Sequence, residues 1–348
     1  MNLRTIAIGV AVLAAGCRTA QPRIIAYVYK DAEIARISAE KLTHINYAFA
    51  LVSENGEVVL ADPDAARIAQ MQSLKAKNPR LKILLSVGGW GADHFSDAAL
   101  TDASRKKFAA SAVALLKQHA LDGIDLDWEY PGQPGPGIKY RAEDKRNFTL
   151  LLREMREQLG NRALLTIASS AGEYFEHTEM DKLHVHLDWI NIMTYDFAGS
   201  WTPTTGHHAA LYNENGPSGE SFVRQHLAAG IPPSKLVLGV PFYGRGWTGV
   251  HPENHGFAQK WTSAAEFPWS ELSTQTGFER HWDPIAKAPF LWNPESRTFV
   301  SYDDPESLRI KAQFVREHGL GGLMYWEHSH DPNEELLDVL VQGVGAHR

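Results

Sequence analysis

Eight short, strand-like apolar runs recur along the chain: Ile24–Tyr29, His44–Ala50, Lys82–Val87, Gly123–Asp127, Leu164–Ser169, Trp189–Met193, Leu236–Val240 and Gly322–Trp326. Runs of this length bounded by Gly, Pro and polar residues fit strands buried on both faces. Between most of them the apolar period changes to 3.6. The clearest helical stretches are Asp64–Lys77, Ala103–His119, Ala142–Leu159 and Ser218–Ala229, each opened by or near an Asp or Ser, the residues that cap helix N-termini. Strands alternating with helices predict a parallel sheet, and eight such units predict an α/β fold of the TIM (β/α)8 barrel type. One interval breaks the rhythm. Between Tyr243 and a helix beginning near Pro305 lie about sixty residues, too many for a barrel loop. This segment is rich in aromatics, with Trp247, Trp261, Trp269, Trp282, Phe290 and Trp292, and most of them are expected to pack within a small extra unit.

The fourth strand carries the chemistry. In Leu121-Asp-Gly-Ile-Asp-Leu-Asp-Trp-Glu-Tyr-Pro131, acids fall at every second position, Asp125, Asp127 and Glu129. Alternate residues of a strand share a face, so three carboxyl groups line one side and Ile124, Leu126 and Trp128 the other. Tyr130-Pro131-Gly132 ends the run and leaves Glu129 at its tip. Side-chain origins two apart on a strand stand about 7 Å from one another. Two charges at that distance repel by roughly 2.4 kcal/mol at an effective dielectric of about 20, nearly two pKa units. The row should therefore share protons and keep one acid neutral near pH 7. A neutral carboxylic acid beside a carboxylate is what general-acid cleavage of a glycosidic bond requires. Glu129 is then the donor, Asp127 its charged partner and Asp125 a buried relay. Two acids leaving one strand on one side cannot flank a sugar from opposite faces, as most glycosidases require. A substrate-assisted route, in which the sugar's own 2-acetamido oxygen attacks C1, fits better. Alternatives for the row are a hard-cation site or a purely structural polar network.

These residues resemble a known family. Asp122-Gly-Ile-Asp-Leu-Asp-Trp-Glu129 is similar to the DxxDxDxE signature of family 18 glycoside hydrolases, the chitinase family. Ser86-Val-Gly-Gly-Trp90 resembles its third-strand motif, Met193-Thr-Tyr-Asp-Phe197 its sixth, Gly239-Val-Pro-Phe-Tyr-Gly-Arg245 its seventh and Gly321-Gly-Leu-Met-Tyr-Trp-Glu327 its eighth. The resemblance covers nearly the whole chain after residue 22. It implies catalysis by Glu129, Asp127, Asp125 and Tyr195, the Tyr195 hydroxyl holding the acetamido group together with Asp127. It implies Trp326 as the apolar floor for the reacting sugar, Asp196 as a ligand of a sugar hydroxyl, and Met193 packing beneath. Tyr243 and Arg245 become groove contacts, Trp90 and Trp201 aromatic platforms for neighbouring sugars, and Phe49 a further sugar-facing ring. Tyr27 and Ser86 are implied as hydrogen-bond partners of Asp125, with Tyr27 also facing substrate, and Asp122 as a supporting residue of the signature. The aromatic interval, residues 246–300, resembles the small α+β insertion domain of one chitinase subgroup, within a catalytic domain spanning 22–345. The implied reaction is retaining hydrolysis of β-1,4-linked N-acetylglucosamine polymers, chitin or chitooligosaccharides. Release of N-glycans from glycoproteins by an endo-β-N-acetylglucosaminidase, or sugar binding by a barrel lectin, are the other readings. No cofactor or metal is expected. The histidine pairs His207-His208 and His328-Ser-His330 are expected in solvated loops.

Composition narrows the rest. The 348 residues carry a formal net charge of -7, which argues against nucleic acid as a partner, and a monomer is expected. Arg4 precedes an apolar run, Ile6–Ala15, too short to span a bilayer and typical of a signal peptide. Leu13-Ala-Ala-Gly-Cys17 resembles a bacterial lipoprotein cleavage box, so residues 1–17 are expected to be removed up to an acylated Cys17, or to form an ordinary signal peptide of a secreted protein. Cys17 is the only cysteine, so no intramolecular disulfide forms. The expected location is outside the cytoplasm, lipid-anchored at the outer membrane or secreted.

Overall fold

The computed structural model describes residues 22–345; the signal segment and Cys17 lie outside the described residues. The strands, in chain order, are β1 (Arg23–Val28), β2 (His44–Val52), β3 (Val58–Val59), β4 (Lys82–Gly88), β5 (Gly123–Asp127), β6 (Leu164–Ser169), β7 (Trp189–Ile192), β8 (Leu236–Pro241), β9 (Tyr243–Thr248), β10 (Ser263–Pro268), β11 (Glu279–Asp283), β12 (Ala288–Asn293), β13 (Thr298–Ser301) and β14 (Gly322–Trp326). Eight of them form the barrel in the order β1-β14-β8-β7-β6-β5-β4-β2, all parallel, and pairing of β2 with β1 closes it.

The period-two alternation explains why the strands are apolar on both sides. Ile24, Ala26, Val28, Ile83, Leu85, Val87, Ile124, Leu126, Ile190, Ile192, Leu323 and Tyr325 face outward into one large core with the helices. Their neighbours Ile25, Tyr27, Leu84, Trp189, Val237 and Met324 fill the barrel interior. Asp125 and Asp127 are therefore turned into the barrel by the same geometry that buries Ile124 and Leu126 outside it. The sequence periods locate the helices within a few residues. Helix α1 runs Asp62–Ser73 and tightens into a 3-10 turn at Leu74–Ala76, and a proline in its first turn sets the earlier start. Helices α2 (Phe95–Leu100), α3 (Asp102–Gln118) and α4 (Asp144–Leu159) follow. The start of α4 falls two residues later than the period predicts. There the Asp144 carboxylate accepts from the Arg141 N–H at 2.7 Å and the Gly132 N–H at 3.3 Å, pinning the loop that follows β5.

Between β8 and the helix Pro305–Glu317 the chain builds a separate antiparallel sheet of five strands, β10-β9-β13-β12-β11. Trp247 and Trp292 are buried in it with Phe290 and Phe299, so these aromatics pack as a small core of their own.

Trp128 anchors the strand end between Asp127 and Glu129. It is buried, stacks on Phe95 of α2 at 5.3 Å and 11°, and meets Phe148 of α4 edge-on at 5.3 Å. Trp128→Ala should cost about 3–5 kcal/mol of stability by opening a cavity between α2 and α4, read as a lowered urea midpoint. A loss below about 1 kcal/mol, the size of an average point mutation, would show that the helices close over the gap.

Candidate active site

The C-terminal ends of parallel barrel strands are where such folds hold their chemistry. β5 lies between β4 and β6, in a register that sets Ser86 and Thr166 level with Asp125, and Gly88 level with Asp127. Asp125 is completely buried and accepts from four side chains: Tyr27 Oη and Ser86 Oγ, each at 2.8 Å on Oδ2, and Thr166 Oγ1 and Asn191 Nδ2 on Oδ1, the last at 3.2 Å. Asn191 is itself held by the Trp189 indole N–H at 3.1 Å. Asp127 is treated differently. Its Oδ1 is buried with no hydrogen-bond partner among the described residues. Glu129 lies two residues beyond the end of β5, in a bend, and is partly exposed.

Backbone approach makes this arrangement possible. A Cβ on Gly88 would lie 2.0 Å from the Asp127 carbonyl oxygen, and one on Gly89 would lie 2.7 Å from the Phe49 ring. The register of β2 shifts at Ala48/Ala50. Such a bulge re-aims a side chain, and Phe49 here stacks on Trp326 at 5.6 Å and 19°. Trp326 also meets Tyr27 and Tyr29 at 5.8 and 6.0 Å. With Met193 and Tyr195 these rings form the partly buried mouth of the barrel interior.

The three acids of the row differ in their surroundings. Burial raises the Asp125 pKa, and its four donors pull it back, since hydrogen bonds to a carboxylate favour its charged form. Asp127 has no such donors. Burial, then the Glu129 charge, then the Asp125 charge hold its pKa well above the usual range. Burial pushes Glu129 up to about 7, the neighbouring Tyr130 hydroxyl opposes this, and the Asp196 charge adds to it. Of the two buried acids, Asp125 is the one whose hydrogen-bond partners favour the charged form. The number of donors contributed by other strands, which spacing along the row does not show, separates Asp125 from Asp127.

Asp196, Tyr243 and Arg245 come together, and they bind one another. Arg245 grips the Asp196 carboxylate with two bonds, Nε to Oδ1 at 2.8 Å and Nη2 to Oδ2 at 2.7 Å, and the Tyr243 hydroxyl donates to Oδ1 at 2.9 Å. His208 stands 3.5 Å from the same oxygen. Burial alone would raise the Asp196 pKa; the His208 and Arg245 side chains outweigh it and hold the group well below the usual carboxylate range. Tyr195 meets Tyr243 edge-on at 6.2 Å. It fits because Gly239 faces it: a Cβ there would lie 3.0 Å from the Tyr195 ring and 2.4 Å from the Ile192 carbonyl oxygen. Trp90 and Trp201 are 66 % and 58 % exposed, flat apolar surfaces open to solvent, and Arg245 lies over the Trp201 ring at 5.4 Å.

Two expectations change. Asp122 is not at this site. It sits just before β5, at the opposite end of the barrel, bound by Lys75 at 2.7 Å, Lys82 at 2.9 Å and the Ile83 N–H at 2.9 Å. The histidine pairs are not in solvated loops either. His208 and His328 are buried, and each ring is packed against a partner: His207 contacts Asp283 at 3.1 Å, His328 the Tyr325 hydroxyl at 2.9 Å, and His330 lies 3.5 Å from Glu327. Sequence reasoning missed Thr166 and Asn191. The available signal was a polar residue inside an otherwise apolar buried strand, in Leu-Leu-Thr-Ile-Ala-Ser169 and Trp-Ile-Asn-Ile192, since buried polar groups need partners.

A closed (β/α)8 barrel whose carboxyl row is buried at Asp125 and Asp127 and opens at Glu129, beside an aromatic floor, is the arrangement of a barrel glycosidase. Residues 23–331 match the pattern of the Glycosyl hydrolases family 18, and the chain belongs to that family. It is 38% identical to Chitinase A1 of Niallia circulans over 89% of this chain, which spans 56% of that protein. Among solved structures, a cell-surface-expressed multi-modular chitinase of Paenibacillus sp. str. FPU-7 superposes with a TM-score of 0.88 at 39% identity, over 93% of this chain and 33% of that one. A family 18 N-acetylglucosaminidase of Paenibacillus barengoltzii gives 0.86 at 40% identity, over 92% and 99%.

The raised Glu129 pKa has a measurable sign. The folded protein keeps this proton up to about pH 7, whereas an unfolded glutamate loses it near pH 4.3. Between those values the folded state binds more protons, so this group's contribution to stability falls as pH rises. Glu129→Gln removes the titration. Its melting temperature should match wild type near pH 4 and exceed it increasingly toward pH 8; an equal difference at both pH values would contradict the shift.

Proposed function

We propose that the protein hydrolyses chitin or chitooligosaccharides with retention of the β-anomer, using Glu129 as acid and base and the substrate's acetamido group as nucleophile. The observation that carries this reading is the carboxyl row. Glu129 holds a proton near neutrality at the strand tip, where a glycosidic oxygen can reach it, while four donors keep the charge of Asp125 behind it. The nearby Asp196 carboxylate is already occupied by Arg245 and Tyr243, so it is poorly suited to attack from the far face of the sugar. The acetamido oxygen takes that role.

In the first step Glu129 protonates the leaving oxygen as the acetamido oxygen bonds to C1, giving an oxazolinium ion. Asp127 and the Tyr195 hydroxyl hold the acetamido group in place, and Trp326 packs under the ring. As positive charge develops on the oxazolinium, it offsets the burial and the neighbouring acid charges that hold the Asp127 proton, and that proton passes to the Asp125 carboxylate, leaving Asp127 charged beside the oxazolinium. Glu129, now ionised, takes a proton from water, which attacks C1 from the face the leaving group left. Trp90 and Trp201 present stacking surfaces for further sugars. Export by the N-terminal apolar segment, with acylation at Cys17 as the finer possibility, suits an enzyme whose polymeric substrate lies outside the cell.

Hydrolysis of a chitin hexamer should yield the β-anomer first, followed by NMR. Glu129→Gln should lower the rate by about 10²–10⁴-fold, the contribution of a positioned acid–base group. Fully deacetylated chitosan should resist cleavage. Initial α-anomer, or rapid cleavage of that chitosan, would overturn the mechanism.

A further inference from the structure

We infer that the five-stranded sheet carries a divalent transition-metal site built from His255, Glu279 and His281. Glu279 and His281 are the first and third residues of β11, so they share a face of the strand. β11 is the outer strand of its sheet and is paired through Glu279↔Trp292 and His281↔Phe290. His255 arrives from the turn Glu253–Gly256, which leads from β9 toward β10. The turn carries His255 over the strand, and the two imidazole rings lie 4.2 Å apart at 32°. One ligand atom from each of the three side chains falls within 4.8 Å of the other two.

Two further observations point to a cation. His281 Nε2 is buried and has no hydrogen-bond partner among the described residues. The closest carboxylate oxygen, from Glu279, stands 3.5 Å away, a long contact at the edge of hydrogen-bond range. The His281 ring is also held in place from behind, stacked on Phe290 at 5.0 Å and 14°, and Phe290 belongs to the sheet's buried aromatic core. A ring fixed by packing, with a bare nitrogen aimed toward a second imidazole and a carboxylate, is a ligand set in search of an electrophile. Protonating both rings would only set like charges face to face. A divalent cation joins both nitrogens and is partly neutralised by Glu279.

The donor set selects the metal class. Two imidazoles and one carboxylate suit Zn²⁺, with Cu²⁺ and Ni²⁺ as competitors, and suit Mg²⁺ or Ca²⁺ poorly. Zinc would need bonds of roughly 2.0–2.2 Å, reached by rotating the exposed His255 and Glu279 side chains toward His281, with water completing the shell. Hydrolysis at the carboxyl row asks nothing of this ion. Its effect is to clip the turn at His255 to the edge strand, closing the segment that contains β10 and covering a strand edge.

The test uses the untagged chain, stripped with chelator, and zinc alone as the probe. Calorimetry should find one tight Zn²⁺ per chain, and melting temperature should rise with added zinc. His281→Ala and His255→Ala should each weaken zinc binding by at least about tenfold, the loss that even outer-shell changes produce at metal sites, and should abolish the thermal shift. Chitin-hexamer hydrolysis should stay unchanged in both. Glu279→Gln, at an exposed position, gives the same reading if either histidine variant folds poorly. Cobalt substitution should give a visible spectrum that these variants lose. Absence of zinc binding at tens of micromolar, or equal binding by wild type and the variants, would overturn the site.

Discussion

One buried carboxyl group organises the barrel mouth. Asp125 sits where water cannot reach it, and an unpaired carboxylate there would be prohibitively costly. Four donors from four different strands meet it: Tyr27 from β1, Ser86 from β4, Thr166 from β6 and Asn191 from β7. Each donor ties a neighbouring or facing strand to β5 at the same height in the barrel. The clamp therefore stabilises the charge and aligns the strand ends together. Everything above it inherits that alignment. Burial, then the Glu129 and Asp125 charges, hold the Asp127 pKa up, and Glu129 is tuned in turn by its surroundings at the strand tip.

Much of the fold was legible because barrel strands are short, apolar and regularly spaced. The two-residue alternation that separates Ile124 and Leu126 from Asp125 and Asp127 also told which face would carry chemistry. The length of the interval between Tyr243 and Pro305 and its run of aromatics marked an extra unit, although no local pattern encodes its strand order. The site was legible in its acids and its strand-end positions. It was not legible in charge. Spacing along β5 treats Asp125 and Asp127 as equivalent neighbours, and only the count of donors contributed by other strands separates them. Thr166 and Asn191 lie 41 and 66 residues from Asp125, and no local pattern links positions so far apart.

The histidines teach a related lesson. Runs such as His207-His208 look like solvated loop chemistry, but each ring found a carboxylate or hydroxyl across the fold. His281 differs in what its Nε2 faces, a second imidazole and a carboxylate together. A titratable residue's meaning is set by what the topology brings to it, and sequence neighbours say little about that.

Arg245 belongs to β9, the first strand of the inserted sheet, yet its guanidinium closes on Asp196 at the end of the sixth barrel strand and on Glu266 of β10 at 2.7 Å. Tyr243, the first residue of β9, donates to the same carboxylate, so two side chains of the inserted sheet wire it into the catalytic end. Changes in the length or tilt of that sheet will be felt by the Asp196–Tyr243–Tyr195 side of the groove before they reach the acids of β5. The fit of the groove can therefore be altered through the inserted sheet while the proton-transfer residues of β5 stay where they are.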